Sequence, residues 1–138
     1  LANGMSSRLF LKIREEKGLA YSIRSSITCE KSYSYYSIYI GTTAQALDEV
    51  KKIILDEFKN IANMTKKDLE EAKERLIGLS KISAEESSNV MNELLFSEIA
   101  NDARDYYKHE KNIRKVTLQQ VKTLAKIKRY SSAVIIPK

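Results

Sequence analysis

Residues 5–42 read MSSRLFLKIREEKGLAYSIRSSITCEKSYSYYSIYIGT, and the change of period inside this stretch decides the fold. In its first part Met5, Leu9 and Ile13 recur at helical spacing with Phe10 at their flank. Arg8, Lys12, Glu15 and Glu16 fall largely opposite, the pattern of a helix with one buried face. Gly18 supplies a C-terminal stop. From Ala20 to Thr28 and from Ser32 to Thr42 the chain turns to Tyr, Ile, Ser and Thr, residues that suit a pleated surface. Two antiparallel strands joined near Cys29, Glu30 and Lys31 are therefore expected. In the second, Tyr33, Tyr35, Ser37 and Tyr39 share one face and Tyr36, Ile38 and Ile40 the other. Both faces are expected to be at least half covered.

Beyond this stretch the pattern is helical. Thr42 with Gln45 reads as a capping box opening a helix whose stripe is Leu47, Val50, Ile54, Phe58 and Ile61. Asn63 and Met64 interrupt it, and Thr65 with Asp68 caps a second helix with the seam Leu69, Ala72, Leu76 and Leu79. On its outer face Lys67, Glu71 and Arg75 pair at four-residue spacing, each pair contributing a few tenths of a kcal/mol. The Ser87, Ser88 and Asn89 cluster marks a bend before Met91, Leu94, Leu95, Ile99 and Ala100. A turn follows near Asp105 to Asn112, then a capping box at Thr117 and Gln120 with a helix through Leu118, Val121, Leu124, Ala125 and Ile127. Ser131 to Ile136, ahead of Pro137, reads as a strand closing back on the sheet. Hairpin-joined strands with helices in a block indicate α+β: an antiparallel sheet with helices on one face, not a doubly wound parallel sheet.

Composition bounds the function. The chain has 138 residues, 43% hydrophobic and 30% charged, which suits one domain over residues 1–138 without covalent staples. Cys29 is the only cysteine, so neither an internal disulfide nor a thiolate zinc cluster can form, and a reducing, cytoplasmic setting is expected. The 24 Lys and Arg against 18 Asp and Glu are interspersed, so the net charge of +6 leaves an anion-binding module only as a third reading, and neither nucleic acid nor a membrane is the expected partner. No apolar run approaches the ~20 residues needed to span a bilayer. The sequence opens at Leu1, with its first methionine at Met5, and is expected to be a piece of a longer protein.

Most catalytic motifs are missing. His109 is the single histidine, beside Glu110, so neither H-E-x-x-H nor H-x-x-E-H can be written and a surface role is expected for it. Four glycines form neither a P-loop nor a dinucleotide fingerprint. Glu70, Glu71 and Glu74 share a helix face with lysines and read as a solvated face.

Residues 4–21, GMSSRLFLKIREEKGLAY, closely resemble the motif that opens the second domain of pitrilysin-type zinc peptidases, the family of insulin-degrading enzyme and mitochondrial processing peptidase. The likeness continues through the hairpin, the Gly41-Thr42 entry into a helix and TKKDLEEAKERL at 65–76, which is similar to the family pattern T-x-x-E-L-x-x-A-K-x-x-L. It spans essentially the whole chain. One departure is that Leu1-Ala2-Asn3-Gly4 keeps a single glycine where the family usually has more.

The resemblance implies the metal-free C-terminal domain of a zinc endopeptidase, inactive without the zinc-bearing N-terminal domain of the same protein. Zinc is then expected on that other domain, with no cofactor here, and a peptide is the expected substrate. In the family an Arg and a Tyr seven positions apart reach across a chamber to bind substrate main chain and polarise the scissile carbonyl; Arg14 and Tyr21 match them. On the residues alone two readings stand. A guanidinium offers fixed donors to a carbonyl and a phenol adds one that strengthens on a developing oxyanion, about 3 kcal/mol at the transition state. Equally, Arg14 would neutralise a helix C-terminus and Tyr21 would pack as a strand aromatic. Around the pair, Ser6 is expected to cap the helix, Arg8 to pair with an acid, and Met5, Leu9, Phe10 and Ile13 to be core. A non-catalytic structural or substrate-guiding subunit is the rival reading. If the upstream strand is absent, an unfilled sheet edge or apolar groove would favour a homodimer.

Overall fold

Ser7 starts the first helix. Its backbone is extended and its hydroxyl accepts the Phe10 amide at 3.4 Å. Ser7 thus takes the cap expected of Ser6, which lies with Met5, Ile127 and Pro137 outside the described residues, 7–126 and 129–136 of this computed structural model. Helix α1 (Arg8–Phe10) runs directly into a π-helical segment, Leu11–Glu16. Leu9 and Ile13, one turn apart, are fully buried. Phe10, expected in the core, is instead half-buried and outside the buried cluster.

Gly18 ends the helix at φ +62°, where its amide donates to the Arg14 carbonyl at 3.1 Å and the Leu19 amide to the Ile13 carbonyl at 2.8 Å. A Cβ at Gly18 would meet nothing within 4 Å, so substitution is opposed by backbone conformation alone. Gly18→Ala is expected to cost about 1–2 kcal/mol, read as a lower urea midpoint.

The hairpin pairs β1 (Ala20–Cys29) with β2 (Ser34–Thr42) antiparallel. Ile23 faces Ile40 and Ser25 faces Ile38 on the side that packs on the helices; Arg24 faces Tyr39, Ser26 faces Ser37 and Thr28 faces Tyr35 on the other. That second side is open among the described residues, with Tyr35 54% and Tyr39 64% exposed, against the expectation that both faces would be covered. The rings instead satisfy each other: Tyr33 stacks on Tyr35 at 6.3 Å.

Thr42 does not cap a helix. Its hydroxyl donates to the Leu19 carbonyl at 2.6 Å, tying the end of β2 to the Gly18 turn, and a single 3₁₀ turn, Ala44–Ala46, leads into α2 (Leu47–Asn60) without a side-chain cap. Val50 and Ile53 of α2 complete a core with Leu9, Ile13, Ala20, Ile23 and Ala46. Glu57, 3% exposed, accepts from Arg8 Nε and Lys12 Nζ at 2.8 Å each and from Asn60 at 3.1 Å, clamping the first helix to α2. Residues 131–136, expected as a closing strand, are irregular, with Ile135 97% exposed and the sheet two-stranded among the described residues. An alternating run becomes a strand only where another strand's edge takes its backbone groups.

These elements form one compact unit, residues 1–62 with 124–138; residues 63–123 form a second. In the second unit α3 (Lys66–Ser83) opens with the expected box: the Thr65 amide donates to Asp68 at 2.7 Å and the Asp68 amide to the Thr65 hydroxyl at 3.2 Å. Its buried row is Leu69, Lys73 and Ile77, not the expected seam, and Leu76 and Leu79 are each 53% exposed. The Lys73 stem is covered while its ammonium reaches Glu70 at 2.8 Å and the Arg114 carbonyl at 3.1 Å. After a break at 84–86 come α4 (Ser87–Ala100), a 3₁₀ segment Ala103–Lys108, α5 (His109–Lys115) and α6 (Leu118–Leu124). The last is capped as expected, the Thr117 amide donating to Gln120 at 2.8 Å. A two-stranded antiparallel sheet within a helix-rich chain makes the class α+β.

Candidate functional site

Arg14 lies inside the π-helical segment, one turn after Phe10, and Tyr21 enters β1 three residues after the Gly18 reversal. The reversal brings them together. Arg14 Nη1 donates to the Tyr21 carbonyl at 3.2 Å, and Cζ lies 4.8 Å from the centroid of the Tyr21 ring. It also lies 4.8 Å from the Phe10 centroid, while Nε stands 3.7 Å from Glu15. The guanidinium is therefore oriented by two rings and a carbonyl, with its side chain still 37% exposed.

A backbone irregularity turns Tyr21 outward. Ala20 pairs with Thr42 and Ser22 with Gly41, so β1 carries one extra residue at this point, a bulge that contains Tyr21. The bulge lets Ala20 and Ile23, three positions apart, both face the core, which strict alternation forbids. Tyr21 is left 81% exposed and its hydroxyl engages none of the described residues. Beside it a shallow groove is lined by Gly18, Leu19, Ala20, Ser22, Gly41 and Thr43. The arrangement presents two exposed donor groups, the remaining guanidinium N–H groups and the phenol O–H, to an acceptor arriving from solvent.

The other sequence candidates engage partners of their own. His109 is exposed at the start of α5, its Nε2 3.3 Å from the Ser80 hydroxyl. Glu70 and Glu74 are tied to Lys73 and Arg114, as expected of a solvated face. Arg8 finds its acid in Glu57. Among the described residues no three His, Cys, Asp or Glu side chains are grouped to hold a metal ion.

The family model of the peptidase M16 inactive domain matches residues 1–76, which include both members of the pair and the Thr65 cap. This chain belongs to the peptidase M16 family. The uncharacterized zinc protease YmxG of Bacillus subtilis is 33% identical over 147 residues, covering 99% of this chain and 35% of the relative. A non-peptidase homolog from Helicobacter pylori is 33% identical over 96 residues, covering 67% of this chain and 22% of that protein. The crystal structure of a peptidase M16 inactive domain from Pseudomonas fluorescens superposes with a TM-score of 0.73 at 25% identity, covering 88% of this chain and 29% of that one. The chain thus spans about a third of the length of the curated zinc protease it matches. No helix among the described residues is long and apolar enough to cross a membrane.

Sequence reasoning placed Phe10 in the core and so missed its contact with Arg14. The available signal was the four-residue spacing of an aromatic before an arginine, which puts the two on one helix face. Phe10→Leu keeps the apolar bulk and removes the ring quadrupole. With an exposed cation–π contact worth about 0.5–1 kcal/mol, any function of Arg14 is expected to fall about two- to fivefold, and Phe10→Trp to retain it. Peptide cleavage by the full-length protein is the measurement.

Proposed function

We propose that this M16 inactive domain is the substrate-binding, metal-free half of a zinc-dependent endopeptidase, presenting Arg14 and Tyr21 to a peptide held at a zinc site on an N-terminal domain of the same protein. The observation that carries the reading is the joint exposure of the guanidinium and phenol on one rim, oriented by their mutual stacking. Arg14 would hold a substrate main-chain carbonyl. Tyr21 Oη would donate to the scissile carbonyl and strengthen that bond as negative charge gathers on the oxygen. Because the guanidinium is oriented before substrate arrives, less reorganisation is spent in holding the main chain. The zinc of the other domain would supply the Lewis acid; no step on this chain passes through a metal. A cytoplasmic setting fits the exposed lone thiol of Cys29.

The test is peptide cleavage by the full-length protein, comparing wild type with Tyr21→Phe and Arg14→Ala. Loss of kcat/KM in both, with zinc content unchanged, supports the reading; unchanged values for both sink it. The second reading, a non-catalytic or substrate-guiding subunit, is favoured by the non-peptidase character named for the Helicobacter pylori relative. It predicts that the upstream sequence lacks H-x-x-E-H and that the full-length protein binds peptide without cutting it. A homodimer belongs with either reading and is read by light scattering.

A further inference from the structure

We propose that Arg24 and Tyr39, side by side on the open face of the hairpin, form a subsite for an acidic side chain of the bound polypeptide; the proposal deepens the peptide-binding reading above and rests on it. Three of the cross-strand pairs on this face are Arg24 with Tyr39, Ser26 with Ser37 and Thr28 with Tyr35. Every one of these six side chains carries a hydroxyl or guanidinium group, and none is acidic or purely aliphatic. The opposite face takes the isoleucines Ile23, Ile38 and Ile40 to the core. A sheet face that needed only solubility would mix charges of both signs. This one offers donors, aromatic rings and a single unopposed positive charge.

That charge is Arg24. Arg8, Arg104 and Arg114 are each bound to a carboxylate, but Arg24 is exposed and makes no hydrogen bond or ion pair with the described residues. Tyr39, directly opposite and 64% exposed, likewise leaves its hydroxyl unengaged by them. Directly opposed residues hold their Cβ atoms about 5 Å apart, close enough for the guanidinium fork and the phenol to converge on one carboxylate. A basic side chain would gain neither bond, and a neutral amide oxygen would accept both without the assistance of a negative charge.

The subsite is continuous with Arg14 and Tyr21. Ser22 must face away from the core because Ile23 faces it, and Tyr21, exposed within the bulge, stands on the same side as Ser22. Tyr21 and Arg24 are three residues apart on an extended strand, about 10 Å. An extended peptide advances at the same rate, so the favoured acidic residue falls about three positions from the one gripped by Arg14 and Tyr21.

The experiment uses the full-length protein and a series of labelled peptides in which one Glu or Gln is moved through positions two to four on either side of the bond cut. Both kcat/KM and the anisotropy Kd are read at low salt. One position is expected to favour Glu over Gln by about tenfold, the scale of a charge-assisted hydrogen bond. Arg24→Gln abolishes the preference, Arg24→Glu turns it toward Lys, and Tyr39→Phe reduces it. A Glu preference at no position, or one that survives Arg24→Gln, overturns the proposal. So does a single-stranded oligonucleotide that displaces the peptides and binds more tightly through Arg24. Unchanged cleavage in Arg14→Ala with the Arg24-dependent Kd preference intact would sink the catalytic reading and leave the subsite standing. Where the full-length protein binds without cutting, Kd alone decides.

Discussion

Arg14→Ala in the full-length protein is expected to lower kcat/KM for peptide cleavage about 10²–10³-fold. The estimate follows from removing one preorganised donor group at a site where charge or main chain must be held. The variant loses more than a charge. Arg14 Nη1 donates to the Tyr21 carbonyl and Cζ stacks on its ring, so without Arg14 the phenol also loses the contact that orients it. The two substitutions should therefore be non-additive, with Arg14→Ala/Tyr21→Phe little worse than Arg14→Ala alone. Arg14→Lys is expected to recover little, because an ammonium has neither the planar face for two rings nor the fork for a carbonyl. Full additivity of the two single effects would separate the residues into independent roles.

Where a local rule had a local partner, the sequence was sufficient. Thr65 with Asp68 and Thr117 with Gln120 cap as expected because donor and acceptor lie three residues apart. Thr42 looked equivalent and is not: the Leu19 carbonyl, brought near by the hairpin, takes its hydroxyl instead. The seam of α3 was misplaced for a related reason. Hydropathy assigns Lys73 to solvent, but its stem covers the row Leu69, Lys73 and Ile77 once Glu70 and the Arg114 carbonyl satisfy its ammonium. At the candidate site the motif pointed to Arg14 and Tyr21, but not to what aims them. The bulge at Tyr21 is set by which residues of β1 must reach the core, and no residue in the strand announces it.

Glu57→Ala is expected to lower the stability of the first unit by about 2–3 kcal/mol, read as a reduced urea midpoint by circular dichroism. The carboxylate is buried, but Arg8 and Lys12 are 47% and 37% exposed, so on its removal both cations return to water. The loss is then that of charge-assisted bonds, not of a stranded charge. Removing the cations instead, in Arg8→Ala/Lys12→Ala, is expected to cost more, because it leaves the carboxylate buried with Asn60 alone. Burial by itself would raise the Glu57 carboxyl; hydrogen bonds from Lys12, Asn60 and Arg8 outweigh it and hold it below the usual carboxylate range. Its contribution is therefore fully present above the unfolded pKa of about 4.3 and disappears as pH falls through the lower folded value. Lys12 is shifted up, chiefly by its hydrogen bond to Glu57, so its contribution holds at neutral pH and fades only as pH rises through the folded value. Wild type should thus lose stability on acidification faster than Glu57→Ala. Since the same helix carries Arg14 six residues beyond Arg8, an acid-weakened clamp should also loosen the Arg14 and Tyr21 pair, seen as faster amide exchange at Gly18 and Leu19, whose amides close that turn. Identical acid sensitivity in wild type and Glu57→Ala would show that the clamp does not carry it.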